Sequence, residues 1–387
     1  MKILQIVPSI SLIYGGPSQM VLGLAPALVK HGAEVTILTT DSNGDTGQKP
    51  LDVPLQQPVK QDGYEIIYFR CSPFRRYKFS LDLLKWLNRH AHEYDVAHLH
   101  ALFSPVTSAA AAICRQKKLP YILRPLGTLD PADLRKKKFL KKIYAAVLER
   151  SNIAGASALH FTSNQEAKVS ERFGVKTRDI ILPNGVTPSV SPSEENIRSK
   201  YQIPENVPII LFMSRIDPKK GLDLLIPALE RIQTQGLDFH FILAGTNPQD
   251  PSYEAFIITQ LENSALHPYT TITGFVRGAS KSALLQASDI FVLPSYYENF
   301  GIAVAEAMVA GKPVVISDSV HIWHDIYNSQ SGWVSKTEVD SLTNSLTEAL
   351  QNPEECRKRG INARNYALHN YSWDAIGRQM IEIYKQL

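Results

Sequence analysis

The sequence has few of the features that mark secreted, zinc-binding or membrane-spanning proteins. Its 387 residues include only three cysteines, and no two of them have the CxxC spacing of zinc and redox sites. We therefore expect neither a disulfide framework nor a zinc site, and a reducing compartment fits best. No apolar stretch approaches the roughly 20 residues that cross a bilayer. The cysteines are Cys71, Cys114 and Cys356.

The amino terminus lacks the pattern of a secretory signal. It is apolar for only a few residues before it reaches Gly15-Gly16-Pro17, and it has neither the apolar length nor the cleavage site of a signal peptide. We interpret this start as a first strand and expect a cytoplasmic protein. Any membrane contact would then be peripheral, at the inner face of the membrane.

The sequence also lacks a strong charge bias. The 41 Lys and Arg residues exceed the 37 Asp and Glu residues by four, and the excess is scattered. Such a small excess does not indicate a nucleic-acid partner, although it is compatible with a small anionic substrate. A length of 387 residues favours two domains over one.

What the sequence does contain is a repeated alternation of short β-branched runs with helical periodicity, interrupted by a linker-like stretch from Pro183 to Glu195. Runs that are apolar on both faces and alternate with helices indicate parallel sheets covered on both sides. We predict an α/β fold of two Rossmann-like, doubly wound domains, residues 1–188 and 196–370, facing each other across a cleft. Ligands bind beyond the carboxyl ends of the strands in such sheets. The predicted strands are Ile3 to Val7, Glu34 to Thr40, Tyr64 to Arg70, Val96 to Ala101, Tyr121 to Leu123 and Ala158 to Thr162, then Pro208 to Met213, Phe239 to Ala244, Thr270 to Phe275, Ile290 to Leu293 and Val314 to Ile316.

The most informative stretch carries two glutamates, Glu298 and Glu306, at the passage from a predicted strand into a helix that begins near Gly301. A helix start offers unpaired N–H groups and a positive dipole end, which suits a diphosphate. A carboxylate beside a phosphate is useful where it accepts hydrogen bonds from hydroxyls, so we assign Glu298 to a donor sugar and Glu306 to a ribose diol. Asn299 and Phe300 belong to the same candidate donor site. The alternative is two surface glutamates on an amphipathic helix.

This stretch, PSYYENFGIAVAEAMVAGKPVV, resembles the donor-site signature of the retaining glycosyltransferases of family 4, whose architecture is called GT-B. The resemblance implies a nucleotide-sugar donor in the second domain, a saccharide or lipid-linked saccharide acceptor in the first, and attack on the face from which the phosphate leaves. It also implies that the last helix, residues 373–387, crosses back to the first domain. Further matches are Gly15-Gly16-Pro17, residues 95–100 (DVAHLH), Pro183-Asn184-Gly185-Val186, residues 214–221 (SRIDPKKG), Leu243-Ala244-Gly245 and Gly274-Phe275-Val276.

Two cations follow the first strand of the second domain. In the family, the residues that match Arg215 and Lys220 neutralise the donor diphosphate, and fixed cations can stabilise a leaving nucleoside diphosphate. No DxD-like motif stands out, so we expect no metal and no cofactor besides the co-substrate. The resemblance also implies that Gly245, Phe275 and Val276 wall the base and phosphate pocket.

The first domain supplies weaker candidates. Gly15 and Gly16 can bring backbone N–H groups near a phosphate, although such a pair is more often a simple turn. His100 ends a predicted strand and is a candidate catalytic residue, with the alternative of a core or rim histidine. Where many family members carry a Thr-x-His-Gly-like stretch, this chain has residues 123–128 (LRPLGT), without the histidine. Arg124 thereby becomes a candidate for acceptor or phosphate binding.

Residues Leu134 to Arg150 form a basic amphipathic pattern, with five lysines, Arg135 and several large apolar side chains. A basic amphipathic helix can lie on an anionic bilayer, which predicts peripheral membrane contact. The alternative is a solvated helix packed on the first sheet, and the two interpretations are compatible.

Other classes of protein have similar two-domain chains. A nucleotide-sugar epimerase or a phosphorylase stays an alternative, and covalently bound pyridoxal phosphate would favour the phosphorylase. A dehydrogenase is disfavoured, because the first strand is not followed by GxGxxG. A non-catalytic sugar-binding protein would normally be exported. Stabilisation by UDP or GDP would separate a nucleotide-dependent enzyme from such a binding protein.

Overall fold

The computed structural model describes residues 1–45, 48–72, 78–131, 134, 138–187 and 196–387. The chain divides into two compact units. Unit 1 comprises Met1–Gly185 together with Trp373–Leu387, and unit 2 comprises Val186–Ser372. Most of the predicted linker, residues 188–195, lies outside the described residues.

Unit 1 is built on an eight-stranded sheet. Its strands are β1 (Lys2–Ile6), β2 (Glu34–Thr40), β3 (Pro58–Gln61), β4 (Tyr64–Phe69), β5 (Val96–His100), β6 (Tyr121–Arg124), β7 (Ala158–Phe161) and β8 (Asp179–Ile181). The spatial order is β3-β4-β2-β1-β5-β6-β7-β8, and β3 runs antiparallel to β4 while the other pairs are parallel. This is a doubly wound order, with β1 at the centre and the chain moving outward on either side of it.

Helices connect these strands. They are α1 (Gly16–Lys30), α2 (Leu81–His90), α3 (Pro105–Lys117), α4 (Lys138–Tyr144), α5 (Arg150–Gly155) and α6 (Asn164–Val169), and a π-helical turn (Ala145–Glu149) continues α4 into α5. One face of the sheet packs with apolar residues of α2 and α3, and the opposite face packs with those of α1. The sheet therefore has a separate hydrophobic core on each side.

Unit 2 is built on six strands in the order β11-β10-β9-β12-β13-β14, and all its strand pairs are parallel. All residues of β9, β12 and β13 are buried, as expected for a parallel sheet covered on both faces. The strands are β9 (Ile209–Met213), β10 (His240–Ala244), β11 (Thr270–Gly274), β12 (Ile290–Leu293), β13 (Val314–Ser317) and β14 (Gly332–Ser335). The helices are α7 (Ile197–Tyr201), α8 (Leu222–Thr234), α9 (Pro251–Glu262), α10 (Gly278–Ala287), α11 (Ile302–Val309), α12 (Trp323–Asn328), α13 (Val339–Gln351) and α14 (Pro353–Asn370).

The last helix, α15 (Trp373–Tyr384), belongs to unit 1 and packs against α1. Its first residue, Trp373, is held between two glycines. A Cβ atom built on Gly23 or on Gly185 would lie 2.2 Å from the Trp373 ring, so a larger residue at either position would displace the indole. This packing explains in physical terms why glycine follows Pro183-Asn184.

Candidate functional site

The carboxyl edge of the unit 2 sheet collects most of the predicted donor-site residues. Arg215 follows β9, Gly245 follows β10, Phe275 follows β11 and Glu298 follows β12. These four strands are adjacent in the sheet, and parallel strands end at the same edge. The structure therefore brings these four residues to one side of unit 2.

Two ion pairs hold the glutamates of the motif. Lys220 Nζ contacts Glu298 Oε2, and Lys281 Nζ lies 2.6 Å from Glu306 Oε1. The side chains of Lys220 and Glu298 are 13% and 21% exposed, so water still reaches this pair. Each pair joins residues from different elements, since Lys220 ends the short 3-10 turn after β9 and Lys281 lies on α10. The edge thus presents lysines and glutamates in contact, each reachable from solvent.

Glycines shape the backbone at this edge. Gly301 caps α11 with φ +76°, a conformation that residues with a Cβ rarely adopt. Gly245 has φ +150°, and a Cβ there would lie 1.9 Å from the Ser214 carbonyl oxygen. Both positions therefore favour glycine, and at Gly245 the start of the β10–α9 loop lies directly against the Ser214 backbone.

Arg215 is exposed, and its Nη1 donates to Gln249 Oε1 at 3.2 Å. The loop that carries Gln249 is fixed by Asn247, which is buried and donates from Nδ2 to the Ile216 carbonyl at 2.9 Å. Neither Gln249 nor Asn247 was singled out from the sequence, nor was Lys281. Their positions after β10 and on the helix after β11 are the signal that could have identified them.

The remaining donor-site predictions differ in exposure. The Phe300 ring is 2% exposed and packs on Tyr371 with ring centroids 5.2 Å apart, so contact with a ligand would come from the Phe300 backbone. Phe275 is 72% exposed and Val276 is half-buried. Within the described residues, the buried Asn299 Oδ1 has no hydrogen-bond partner. The roles assigned to these residues stay predictions.

In unit 1, one face of the sheet changes from apolar to polar along its strands. Near their amino ends, the strands place Ile3, Val96, Ile122 and Ala158 against the core on the α1 side. Because side chains alternate between the two faces of a strand, the next positions on this face are polar. They are Gln5, His98, His100, Arg124 and His160, and all five are buried.

The three histidines of this face contact one another through one hydrogen bond and one ring stack. His160 Nε2 lies 2.8 Å from the Leu182 carbonyl oxygen, and His160 Nδ1 lies 3.3 Å from His98 Nε2. The His98 and His100 rings stack with centroids 4.5 Å apart. Burial lowers the pKa of all three imidazoles well below the usual 6.5, with a smaller contribution from the nearby Arg124 cation. The cluster is therefore neutral near pH 7.

Tyr384 of α15 and Gln5 of β1 complete the network. The Tyr384 hydroxyl lies 2.7 Å from His98 Nδ1 and 3.1 Å from Gln5 Nε2, and Gln5 Oε1 lies 2.7 Å from His100 Nε2. Burial raises the pKa of Tyr384, so its hydroxyl keeps its proton. Three strands of unit 1, β1, β5 and β7, and its last helix are thereby joined through side-chain hydrogen bonds.

Arg124 is 2% exposed, and its guanidinium donates to Asn184 Oδ1 and, at 2.7 Å, to Met20 Sδ. Burial lowers the pKa of Arg124 to about 10. Among the described residues, its Nε has no hydrogen-bond partner, and the negative charge of Glu166 partly offsets the effect of burial on its pKa. The side chain is thus a buried cation beside His100, its partner in the β5–β6 register. Its role in acceptor binding stays a prediction.

Gly15 and Gly16 occupy the start of α1. Gly15 closes a 3-10 turn by donating its N–H to the Leu12 carbonyl and caps α1 with φ +69°. The sequence predicted a turn or a phosphate loop here, and the geometry is that of a turn leading into a helix N-terminus. Their assignment to donor binding stays a prediction.

The described residues offer neither an evident metal site nor a membrane-spanning helix. Within that part of the chain, no group of three or more His, Cys, Asp or Glu side chains could hold a metal ion. No described helix is both long and apolar enough to span a bilayer. The absence of a metal requirement stays a prediction.

Comparisons with known proteins define the class. The fold matches that of Anabaena HepE in complex with UDP, with a TM-score of 0.76, 20% identity and full coverage of both chains. The model of the glycosyl transferase 4-like domain matches residues 15–185, and the model of the glycosyl transferases group 1 matches residues 193–366. The chain is therefore a glycosyltransferase with the GT-B architecture, and it belongs to glycosyltransferase family 4.

Individual relatives cover the chain from end to end. An uncharacterized glycosyltransferase of Methanocaldococcus jannaschii is 26% identical over 96% of this chain and 95% of its own length. A phosphatidyl-myo-inositol mannosyltransferase of Mycobacterium leprae is 25% identical over 100% of this chain and 96% of its own length. The epimerase, dehydrogenase and sugar-binding alternatives are thereby set aside.

Proposed function

We propose that this glycosyltransferase moves a hexosyl group, with retention of anomeric configuration, from a UDP- or GDP-sugar to a saccharide or lipid-linked acceptor. The observation that carries the proposal is the pairing of Lys220 with Glu298 and of Lys281 with Glu306 at the carboxyl edge of the unit 2 sheet. An edge of this kind is where ligands bind in doubly wound sheets. HepE, which has the same fold, was solved in complex with UDP, and this supports a nucleotide as a ligand of the proposed enzyme.

The ion pairs can exchange partners with a nucleotide sugar. A diphosphate arriving near Lys220 and Arg215 offers each cation a more highly charged partner than its present one. Glu298, released from Lys220, can then accept hydrogen bonds from hydroxyls of the donor sugar. Glu306 can accept from a ribose diol while Lys281 remains in contact with its other oxygen.

The same groups suit the departure of the diphosphate. As the bond between the anomeric carbon and the phosphate oxygen breaks, negative charge grows on the leaving group, and fixed cations stabilise it without reorganisation. The acceptor hydroxyl attacks from the side of the leaving phosphate, and its proton passes to a phosphate oxygen. We propose that Arg215 and Lys220 replace the metal ion that other glycosyl transfers use.

We place the acceptor in unit 1, at the carboxyl edge of its sheet. His100 is buried there beside Arg124 and presents a neutral imidazole. A neutral polar site suits sugar hydroxyls, and the buried Arg124 suits an anionic group of a lipid-linked or phosphorylated acceptor. The name of the Mycobacterium leprae relative, a phosphatidyl-myo-inositol mannosyltransferase, supports a lipid-linked class.

The test is a screen of UDP- and GDP-sugars for hydrolysis and transfer. The anomeric configuration of the product is then determined by NMR from its proton couplings. The proposal predicts one preferred donor and a product with the configuration of the donor. An inverted product would overturn the retaining mechanism. Turnover with sugar 1-phosphates and none with nucleotide sugars would overturn the donor class.

We also propose that α4 and the π-helical turn after it contact an anionic membrane surface. Five large apolar side chains are exposed in this short stretch, interleaved with Lys141 and Lys142. Contiguous exposed apolar surface of this kind is typical of interaction sites, and lysines beside it suit anionic headgroups. Arg135, Lys136 and Lys137 lie outside the described residues, as does the side chain of Lys138. The exposed apolar residues are Phe139, Leu140, Ile143, Val147 and Leu148.

Liposome sedimentation tests this contact. Replacing the five lysines of the segment by Gln should abolish sedimentation with anionic vesicles, because each charge contributes about 1 kcal/mol of attraction near such a surface. Replacing five exposed lysines elsewhere on unit 1 removes the same net charge and should leave sedimentation nearly unchanged. If the wild-type protein does not sediment at low salt, the proposal is wrong. The segment lysines are Lys136, Lys137, Lys138, Lys141 and Lys142, and the control lysines are Lys60, Lys85, Lys117, Lys168 and Lys176.

A further inference from the structure

The hydrogen bonds of the unit 1 histidines have only one consistent direction. A carbonyl oxygen only accepts, so His160 must donate to Leu182 from a protonated Nε2. A neutral imidazole carries one N–H, and the Nδ1 of His160 is therefore an acceptor. It accepts from His98, whose proton must then sit on Nε2. His98 Nδ1 is consequently an acceptor as well.

Tyr384 of the last helix extends this chain of directed hydrogen bonds to His100. His98 Nδ1 accepts from the Tyr384 hydroxyl, which uses the single proton of that hydroxyl. Tyr384 can then only accept from Gln5, so the amide nitrogen of Gln5 faces Tyr384 and its oxygen faces His100. The Gln5 oxygen accepts from His100, which places the His100 proton on Nε2. The Leu182 carbonyl thus determines, through four intervening side chains, the tautomer of His100.

His100 Nδ1 is therefore a hydrogen-bond acceptor without a donor in the described part of the chain. This atom is buried, and it has no hydrogen-bond partner among the residues that the structure describes. Buried polar atoms are nearly always paired, because an unpaired one loses its hydrogen bonds to water without replacement. An unpaired acceptor in an otherwise satisfied network indicates a donor group that arrives with a ligand.

The location of His100 in the sheet also indicates contact with a ligand. His100 is the last residue of β5, at the carboxyl edge where ligands bind in a doubly wound sheet. The titratable groups around it are His98, His160, Arg124 and Tyr384, and burial keeps the imidazoles neutral and the phenol protonated. Of the groups that a sugar carries, a hydroxyl can donate to an imidazole lone pair.

We propose that Tyr384 is a positioning residue that acts through Gln5 to hold His100 in the tautomer with a free lone pair on Nδ1, and that this lone pair accepts a hydrogen bond from a hydroxyl group of a sugar substrate. The role in substrate binding rests on the proposed glycosyl transfer. The tautomer itself does not, because it follows from the hydrogen-bond network alone.

Nitrogen NMR of the protein labelled with 15N-histidine tests the tautomers directly. The wild type should show His98, His100 and His160 as neutral rings protonated on Nε2, unchanged between about pH 6 and 8. Tyr384→Phe removes the constraint on the Gln5 amide, so the His100 signals should shift towards a mixture of tautomers. A proton on Nδ1 of His100 in the wild type would overturn the proposal.

Kinetics test the consequence, with Tyr121→Phe as the matched control. Tyr121 is a buried tyrosine of the same unit, and its hydroxyl donates to the Asn152 carbonyl, so this variant loses a comparable hydrogen bond away from the network. Tyr384→Phe should lower kcat/KM by about 10-fold, the equivalent of one hydrogen bond. Tyr121→Phe should leave kcat/KM unchanged.

The KM values identify which substrate supplies the hydroxyl. A rise in the acceptor KM alone assigns it to the acceptor, and a rise in the KM of the nucleotide sugar with unchanged affinity for UDP or GDP assigns it to the transferred sugar. Equal losses of kcat/KM in Tyr384→Phe and Tyr121→Phe would show that Tyr384 has only a structural role, which would contradict the proposal. If no nucleotide sugar is turned over, the NMR result still decides the tautomer, so failure of the proposed function can be distinguished from failure of this inference.

Discussion

The carboxyl edges of the two sheets are built from opposite kinds of polar group. In unit 1 the candidate residues are buried, neutral histidines joined by directional hydrogen bonds, with a buried arginine beside them. In unit 2 they are partly exposed lysines and glutamates in ion pairs, with Arg215 open to solvent. The first arrangement cannot change its charge near pH 7, and the second can exchange its partners.

This difference matches the two kinds of substrate that a glycosyltransferase binds. A diphosphate needs cations that are already charged and that release their present partners at modest cost, which holds for solvent-reached ion pairs. Sugar hydroxyls need donors and acceptors of fixed direction, which a buried neutral network provides. We therefore expect acid to lower the stability of unit 1. We expect the loss of a single cation in unit 2 to lower catalytic activity.

The largest expected effect is acid destabilisation of unit 1. The native state leaves His98, His100 and His160 unprotonated, whereas the unfolded state binds a proton at each below about pH 6.5. The pKa is lowered on folding, so stability is complete above pH 6.5 and falls as the pH decreases below it. With three such histidines, the loss should be on the order of a few kcal/mol at pH 5.5.

Hydrogen exchange, corrected for the intrinsic pH dependence, measures this loss region by region. Amides of β5 to β7 should lose protection between pH 7.5 and 5.5 far more than those of β9 to β12. In unit 2 the pKa of the half-buried His240 is also lowered, by burial and by Arg198, so a smaller loss is expected there. Equal losses of amide protection in the two sheets would contradict the expected difference in acid stability between the units.

The next effect concerns catalysis in unit 2. Arg215→Ala or Lys220→Ala should lower kcat on the order of 10²-fold or more, because each removes a cation that meets charge developing on the leaving diphosphate. Lys219→Ala is the control, since Lys219 is the exposed neighbour of Lys220 and should keep wild-type kcat. Activity should persist in excess EDTA. Loss of turnover in EDTA with recovery in Mg²⁺ or Mn²⁺ would contradict the metal-free mechanism.

A smaller and different effect is expected at Glu306. Glu306→Ala should raise the donor KM about 10-fold with little change in kcat, because contacts to ribose persist from ground state to transition state. Glu262→Ala, at an exposed position at the end of α9, is the matched control and should alter neither constant. An unchanged donor KM in Glu306→Ala would argue against the ribose assignment.

Much of the framework of this site was predictable from local sequence. All eleven predicted strands are present with ends within one residue of the structure, because buried parallel strands are uninterrupted apolar runs. The missed strands were β3, β8 and β14. β3 and β8 are short and partly exposed, and β14 opens with glycine and tryptophan, so none of them has this pattern.

The partners of the site residues were not predictable, because they come from distant parts of the chain. Tyr384 is 286 residues from His98, and Lys281 is 25 residues from Glu306. The polar positions of the unit 1 strands do leave a signal, since Val96, His98 and His100 follow the period of two that assigns them to one face. The same period places Arg124, two residues after Ile122, on that face, but the sequence does not indicate that its charged side chain is buried there.

The central claim, that the cations of unit 2 bind a nucleoside diphosphate, is tested most directly by titrating UDP and GDP into the protein in EDTA and measuring the melting temperature. One of the two nucleotides should stabilise the wild type, by about 2.7 kcal/mol at 100 times its Kd. Arg215→Ala and Lys220→Ala should lose most of this stabilisation, while Lys219→Ala should keep it. If neither nucleotide raises the melting temperature at millimolar concentration, or if the two site variants respond as the wild type does, the account of unit 2 is wrong.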